Sequence, residues 1–197
     1  MQKICAFTGH RPQKFHFGFD EQHKDCIKIK NALKEQIIFL IEEGYTHFIS
    51  GMALGADTWA AEAVLELRKA YTDIILECAL PCVAQAAKWS HEQQNRYINI
   101  LAKSNILNYV NHHYSDTCML DRNRYMVEKA DAIIAVLNEQ ESNVKECKSG
   151  TLYTINYALK LNKRVIVINS DTAMPCYYIK QADSLYHSER REESQLK

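Results

Sequence analysis

Short apolar runs alternate along this chain with longer segments in which apolar residues recur every three or four positions. KICAFT (3–8) is apolar enough to predict a buried strand. Ile29, Leu33, Ile37, Leu40 and Ile41 predict a helix over 20–44 that Gly44 stops. THFIS (46–50) predicts a second strand ended by Gly51, and the Ala- and Leu-rich stretch 55–71 a second helix. IILECAL (74–80) predicts a third strand stopped by Pro81. Residues 84–103 read as helical, with Trp89, Tyr97, Ile100 and Leu101 toward the core. NILNYV (105–110), AIIAVL (132–137) and RVIVIN (164–169) predict three more strands, separated by helices over 120–130 and 151–162.

Strands that alternate with helices require crossover connections, which are right-handed and give a parallel sheet. The expected fold is therefore α/β, a doubly wound, mostly parallel sheet of about six strands with helices on both faces. Residues 1–170 are expected to form one domain. Residues 171–197 form a C-terminal extension whose end, HSERREESQLK (187–197), is polar and charged and is expected to fray or be disordered.

Composition narrows the picture little. The 197 residues are 47% apolar and 24% charged, with a formal net charge of zero, so there is no global attraction to nucleic acid or anionic lipid. The seven cysteines are odd in number and contain no CxxC pair, which favours a reduced, cytoplasmic compartment. The N-terminal apolar run is too short for a signal-peptide core. No apolar stretch approaches the ~20 residues of a membrane span. The expectation is a cytoplasmic protein with no membrane partner.

In open α/β sheets ligands bind beyond the carboxyl ends of the strands, so the residues that follow each strand are the candidates. After the first come Thr8, Gly9, His10 and Arg11; after the second, SGMALGAD, with Ser50, Gly51, Met52, Gly55, Ala56 and Asp57; after the third, Pro81. After the fifth, Ser149, Gly150 and Thr151 open a helix. Glycine lets a backbone approach a ligand, and helix N-termini offer unpaired N–H groups to anions. Gly9 is expected to clear space for an anionic group. Arg11, Arg122 and Arg124 can add bidentate contacts. Arg122 and Arg124 are two apart on a helix and do not share a face, and Arg124 is the candidate for the ligand. Gly51 and Gly55 equally suit a tight strand-to-helix turn, with Asp57 complementing the helix start. His112-His113 with Cys118 matches no zinc spacing, so no metal is expected. Trp89 reads either as core or as a stacking platform.

TGHRP, THFISGMALGADTWAAE, ECALPC, AAKWS, RNRYMVEKADAIIAVL and the SGT before a helix together resemble the SLOG superfamily, the Rossmann-like group named for the DNA-processing protein DprA and the cytokinin-activating LOG enzymes. Within it the chain is most similar to the small YpsA-like group, over roughly residues 3–169. The resemblance implies a Rossmann-like fold that holds a nucleotide-derived ligand: a nucleoside phosphate, NAD or ADP-ribose. Ser50-Gly51 and Gly55 fall on the superfamily's first glycine-rich turn, Arg124 on a substrate-contacting arginine of LOG enzymes, and Gly150-Thr151 on the second half of their PGGxGTxxE phosphate motif. The chain departs from that motif: Glu146-Cys147-Lys148-Ser149 replace the preceding segment, and Thr154 stands where the glutamate that assists N-glycosidic cleavage is expected. Asp57, Glu62, Glu92 and Asp121 are the carboxylates open to replace it.

The leading expectation is therefore a nucleotide-ligand binding or sensing protein with a small-molecule partner. The alternatives are a LOG-like hydrolase of nucleotide N-glycosidic bonds and, disfavoured by the balanced charge, a single-stranded DNA-binding protein. A homodimer is expected from the resemblance. The amphipathic helix at 20–44 is its candidate interface, and packing on the sheet is the ordinary alternative for the same face.

Overall fold

The computed structural model describes residues 2–138, 149–181 and 184–188. Six strands run parallel: β1 (Lys3–Gly9), β2 (Tyr45–Ser50), β3 (Ile75–Leu80), β4 (Ile106–Tyr109), β5 (Ala132–Leu137) and β6 (Arg164–Asn169). Their helices are α1 (Lys24–Glu42), α2 (Ala56–Leu67), α3 (His91–Lys103), α4 (Cys118–Lys129) and α5 (Gly150–Lys160). A short 3-10 helix, Pro12–Lys14, follows β1.

The sheet order is β4-β3-β2-β1-β5-β6, followed at the edge by β7 (Pro175–Gln181) and β8 (Ser184–Ser188). The chain winds outward from β1 to β4, then returns to place β5 on the other side of β1. This reversal puts the switch point between β1 and β5, where connections leave in opposite directions and open a crevice at the carboxyl ends. The fold is the expected α/β class.

Alternation along the strands divides the core into two layers. Cys5, Phe7, Phe48, Leu76, Cys78, Ile134 and Ile166 face one side with α1 to α3; Ala6, Ile49, Ala79, Ile133, Ala135 and Val165 face the other with α4 and α5. The apolar stripe of α1, with Ile29, Leu33, Ile37 and Leu40, is buried in the first layer. Packing on the sheet therefore occupies the face considered above for a dimer contact.

Two boundaries differ from the sequence reading. Helix α3 starts at His91, not near residue 84. Ser90 caps it by accepting the Gln93 N–H, while the Gln93 side chain accepts the Ser90 N–H, a capping box that fixes the start. Residues 83–89 form turns instead. The C-terminal extension also carries two strands: β7 (Pro175–Gln181) pairs antiparallel with β6, and β8 (Ser184–Ser188) antiparallel with β7. The Tyr177 hydroxyl donates to Gln36 Oε1 at 2.8 Å and ties β7 to α1. Residues 189–197, the rest of the tail expected to fray, lie outside the described residues.

One polar network sits inside the second layer. Glu77 of β3 is fully buried and bonds His47 Nε2 (2.7 Å), the Tyr125 hydroxyl (2.6 Å) and Lys129 Nζ (2.9 Å). Burial alone would push this carboxyl up. The three hydrogen bonds and the Lys129 charge overcome it and hold Glu77 down at about 2.

Candidate functional site

A cavity of about 660 Å³ opens over the carboxyl ends of β1 to β4, within the ~300–1,000 Å³ of small-molecule sites. Successive connections wall it. Arg11, Gln13 and Phe19 come from the β1–α1 segment, Ala53 and Leu54 from the β2–α2 turn. Cys82, Gln85, Lys88 and Trp89 come from the turns after β3, and Tyr114 and Met119 from the β4–α4 connection and the start of α4. Two cationic side chains and three aromatic rings thus face one space. Trp89 is held edge-on against Tyr97, with centroids 5.3 Å apart, so it serves the core with one side and the cavity with the other.

Of the sequence candidates, Arg11 lines the cavity directly. Most of the others build the frame behind it. Gly9 ends β1 where an added Cβ would lie 2.4 Å from the Ala56 Cβ. Its missing side chain makes room for the start of α2 rather than for an anion, which corrects the reading of Gly9. Thr8 is buried beside it. The buried His10 is held on several sides: its N–H donates to the Val136 carbonyl, its Nε2 accepts the Asn138 N–H, and its carbonyl accepts the Ala56 N–H. It therefore joins both sides of the switch point to the N-terminus of α2, and that first N–H faces protein.

The SGMALGAD turn is held just as closely. The Ser50 hydroxyl donates to the Asp57 carbonyl (2.8 Å) and accepts the Met52 N–H (3.1 Å). Met52 takes φ 55°, a left-handed conformation rare for a side-chain-bearing residue. Gly55 takes φ 93°, and a Cβ there would meet the His10 carbonyl at 2.6 Å. Gln85 Nε2 donates to the carbonyls of Gly51 (3.0 Å) and Met52 (2.9 Å), tying the β3 turns to this loop. Pro81 is buried, and its carbonyl accepts the Asn111 N–H.

Arg122, not Arg124, is the arginine beneath this turn. Its guanidinium lies over Gly51 and pairs with Asp57 at 3.4 Å; both side chains are over nine-tenths buried. Burial pushes the Asp57 carboxyl up, against the opposing pull of Arg122, the Ala53 N–H and Arg11. Burial likewise pushes the Arg122 guanidinium down, though it stays a cation. Arg124 is exposed; its Nε donates to the Tyr153 hydroxyl at 2.8 Å, and Asp121 lies 3.6 Å away. It does not line the cavity. The signal for Arg122 was present in the sequence: Cys118, Arg122 and Met126 lie four apart, on the one buried stripe of α4.

Ser149, Gly150 and Thr151 open α5 on the other side of the switch point and are not among the described residues that line the cavity. Apart from its chain neighbours and the backbone of its own helix, no described atom lies within 4 Å of a Cβ built at Gly150. Thr154, at the position of the absent glutamate, donates its hydroxyl to the Gly150 carbonyl at 2.8 Å. Of the other carboxylates, Glu62 is held by Arg96 and Asp121 accepts the Thr117 hydroxyl. Neither Asp nor Glu occurs among the described residues of the cavity wall. Among the described helices, none is long and apolar enough to cross a membrane.

Fold and site define a doubly wound α/β protein with a ligand-sized cavity over its strand ends. Comparison with known proteins narrows the class: residues 5–173 match the family described as YspA SLOG, and the chain belongs to that SLOG family. A UPF0398 protein of Bacillus licheniformis is 30% identical over 165 residues, covering 82% of this chain and 86% of its own. One from Bacillus pumilus is 30% identical over 163 residues, 79% and 87%. A third, from Halalkalibacterium halodurans, is 28% identical over 141 residues, 71% and 74%.

Proposed function

We propose that the protein binds a nucleotide-derived small molecule, of the nucleoside phosphate, NAD or ADP-ribose type, in the cavity over β1 to β4, and acts as a binding or sensing module. The observation that carries this reading is the pairing of charge and rings in one wall. Arg11 and Lys88 suit phosphate oxygens, and Phe19, Trp89 and Tyr114 suit the faces of a flat heterocycle. Gln85 and Arg122 add weight. Gln85 Oε1 and Arg122 Nε are buried without a hydrogen-bond partner among the described residues, and both side chains flank Gly51. Buried polar atoms left unpaired are uncommon in folded proteins, and here they back a ligand-sized space.

The cavity wall favours binding over hydrolysis. Departure of a base from ribose passes through an oxocarbenium-like state that a nearby carboxylate stabilises, and the described wall offers none. Asp57 is shielded behind Gly51 by its partner Arg122. The test is calorimetric titration with AMP, NAD and ADP-ribose, with chromatography of the same mixtures for released base. Saturable binding without base release supports the module. Base release that Asp57→Asn abolishes would support the hydrolase instead.

A further inference from the structure

We propose that His16, His23 and Asp25 form a three-ligand site for a divalent transition metal of the zinc class. The site is separate from the cavity and rests on different residues. The segment between β1 and α1 folds back in successive tight turns: Gly18 N–H bonds the Phe15 carbonyl, Asp20 N–H that of Phe17, and His23 N–H that of Asp20. Gly18 takes φ 57° within them. These turns return His16 to the start of α1, where His23 is the N-cap and Asp25 lies in the first turn.

Two ring nitrogens and a carboxylate oxygen then converge. His16 Nε2 lies 3.2 Å and His23 Nδ1 3.7 Å from the same Asp25 oxygen, Oδ2; His23 Nδ1 also accepts the Asp25 N–H at 3.2 Å, a cap bond that an ion on this nitrogen replaces. One ligand atom from each of the three residues fits within a span of 4.8 Å. An ion with bonds of about 2.0–2.1 Å in tetrahedral geometry sets its ligand atoms about 3.3 Å apart, so small side-chain adjustments close the site. Lys28 occupies the other Asp25 oxygen, Oδ1, at 3.0 Å, which orients the carboxylate and leaves Oδ2 to the histidines. Phe17 fixes the rings: it stacks on His23 at 16° with centroids 5.6 Å apart, and meets His16 edge-on at 5.2 Å. Such orientation of ligands by their neighbours is what metal sites require.

The donor set selects the ion. Two imidazoles and one carboxylate suit Zn²⁺ or Ni²⁺ better than the hard cations, which take oxygen ligands. His16 is exposed, so the ion's remaining position opens to solvent. The donors are spaced HisX6HisXAsp, a pattern that matches no familiar zinc signature and becomes legible only through the fold. Phe19 sits inside the same loop and lines the cavity, so an ion here fastens one cavity wall to the start of α1.

The experiment is titration of the full chain, kept reduced, with Zn²⁺ by calorimetry and with Co²⁺ by absorbance. His16→Ala changes an exposed side chain. His23→Asn keeps a capping side chain and removes the imidazole. The expected result is one equivalent of Zn²⁺, visible cobalt bands without thiolate charge transfer, and at least about tenfold weaker binding in each variant. Absence of binding, undiminished binding in both variants, a cobalt–thiolate band, or loss of binding on replacing His112 and His113 would each overturn the proposal.

Discussion

The Arg122 guanidinium packs directly against Gly51: a Cβ at residue 51 would fall 1.4 Å from its Nη1 and 2.8 Å from the Asp57 carboxylate. The glycine therefore houses a buried ion pair that fixes the loop after β2. Gly51→Ala displaces the guanidinium and is expected to cost about 2 kcal/mol, lowering Tm by about 4–8 °C. Arg122→Met strands a buried carboxylate and is expected to cost about 3–5 kcal/mol. Because both changes disturb one contact, the double variant should lose less than the sum. Urea denaturation of the wild type and the three variants measures this, and strict additivity would mean that the two residues act independently.

The network at Glu77 gives the fold an acid-sensitive element. Its carboxyl titrates at about 2 in the folded chain, against ~4.3 in an unfolded one. A depressed carboxyl stabilises above the unfolded value, and that contribution is lost as pH falls from about 4.5 to about 2. Glu77→Gln should be less stable at pH 7 by on the order of 3 kcal/mol. The gap between the two proteins should close as the pH approaches 2. Denaturant midpoints across that range check it; a gap independent of pH would place the stabilisation elsewhere.

Two glycines at strand-to-helix junctions should answer oppositely to one change. Gly9→Ala drives a Cβ into Ala56 and the wall of β5, and should cost at least about 2 kcal/mol through overpacking. Gly150→Ala meets open space among the described residues at the first position of α5. It should leave stability unchanged or raise it by up to about 1 kcal/mol, as alanine is the better helix former. Thermal melts of both variants decide the matter, and a destabilised Gly150→Ala would show that this glycine too is packed.

These pairs also show what the sequence could disclose. The six parallel strands were legible because each is a short, mostly apolar run ended by glycine, proline or a polar loop. The start of α3 was not, because Ala84, Gln85, Ala86 and Ala87 favour helix intrinsically while the Ser90–Gln93 cap governs the boundary. Strand β7 was hidden because its pairing partner, β6, already read as the last strand. Gly9 and Gly51 were found but not explained: a glycine that admits a ligand and one that admits Ala56 or Arg122 look the same in a sequence. The spacing of the two arginines separates their faces and the resemblance to LOG enzymes points to Arg124, but neither takes in the buried stripe of α4 that carries Arg122.

The site itself is tested most directly by following tryptophan fluorescence, with Trp89 at the cavity and Trp59 buried in the core, while AMP, NAD or ADP-ribose is added to the wild-type chain, Arg11→Ala and Arg124→Ala. A saturable change is expected for at least one ligand in the wild type. Affinity is expected to weaken at least about tenfold in Arg11→Ala, the loss of a charge-assisted contact, with Tm nearly unchanged, and Arg124→Ala is expected to have no effect. No response to any of the three at millimolar concentration, or equal affinity in wild type and Arg11→Ala, would contradict the proposed site.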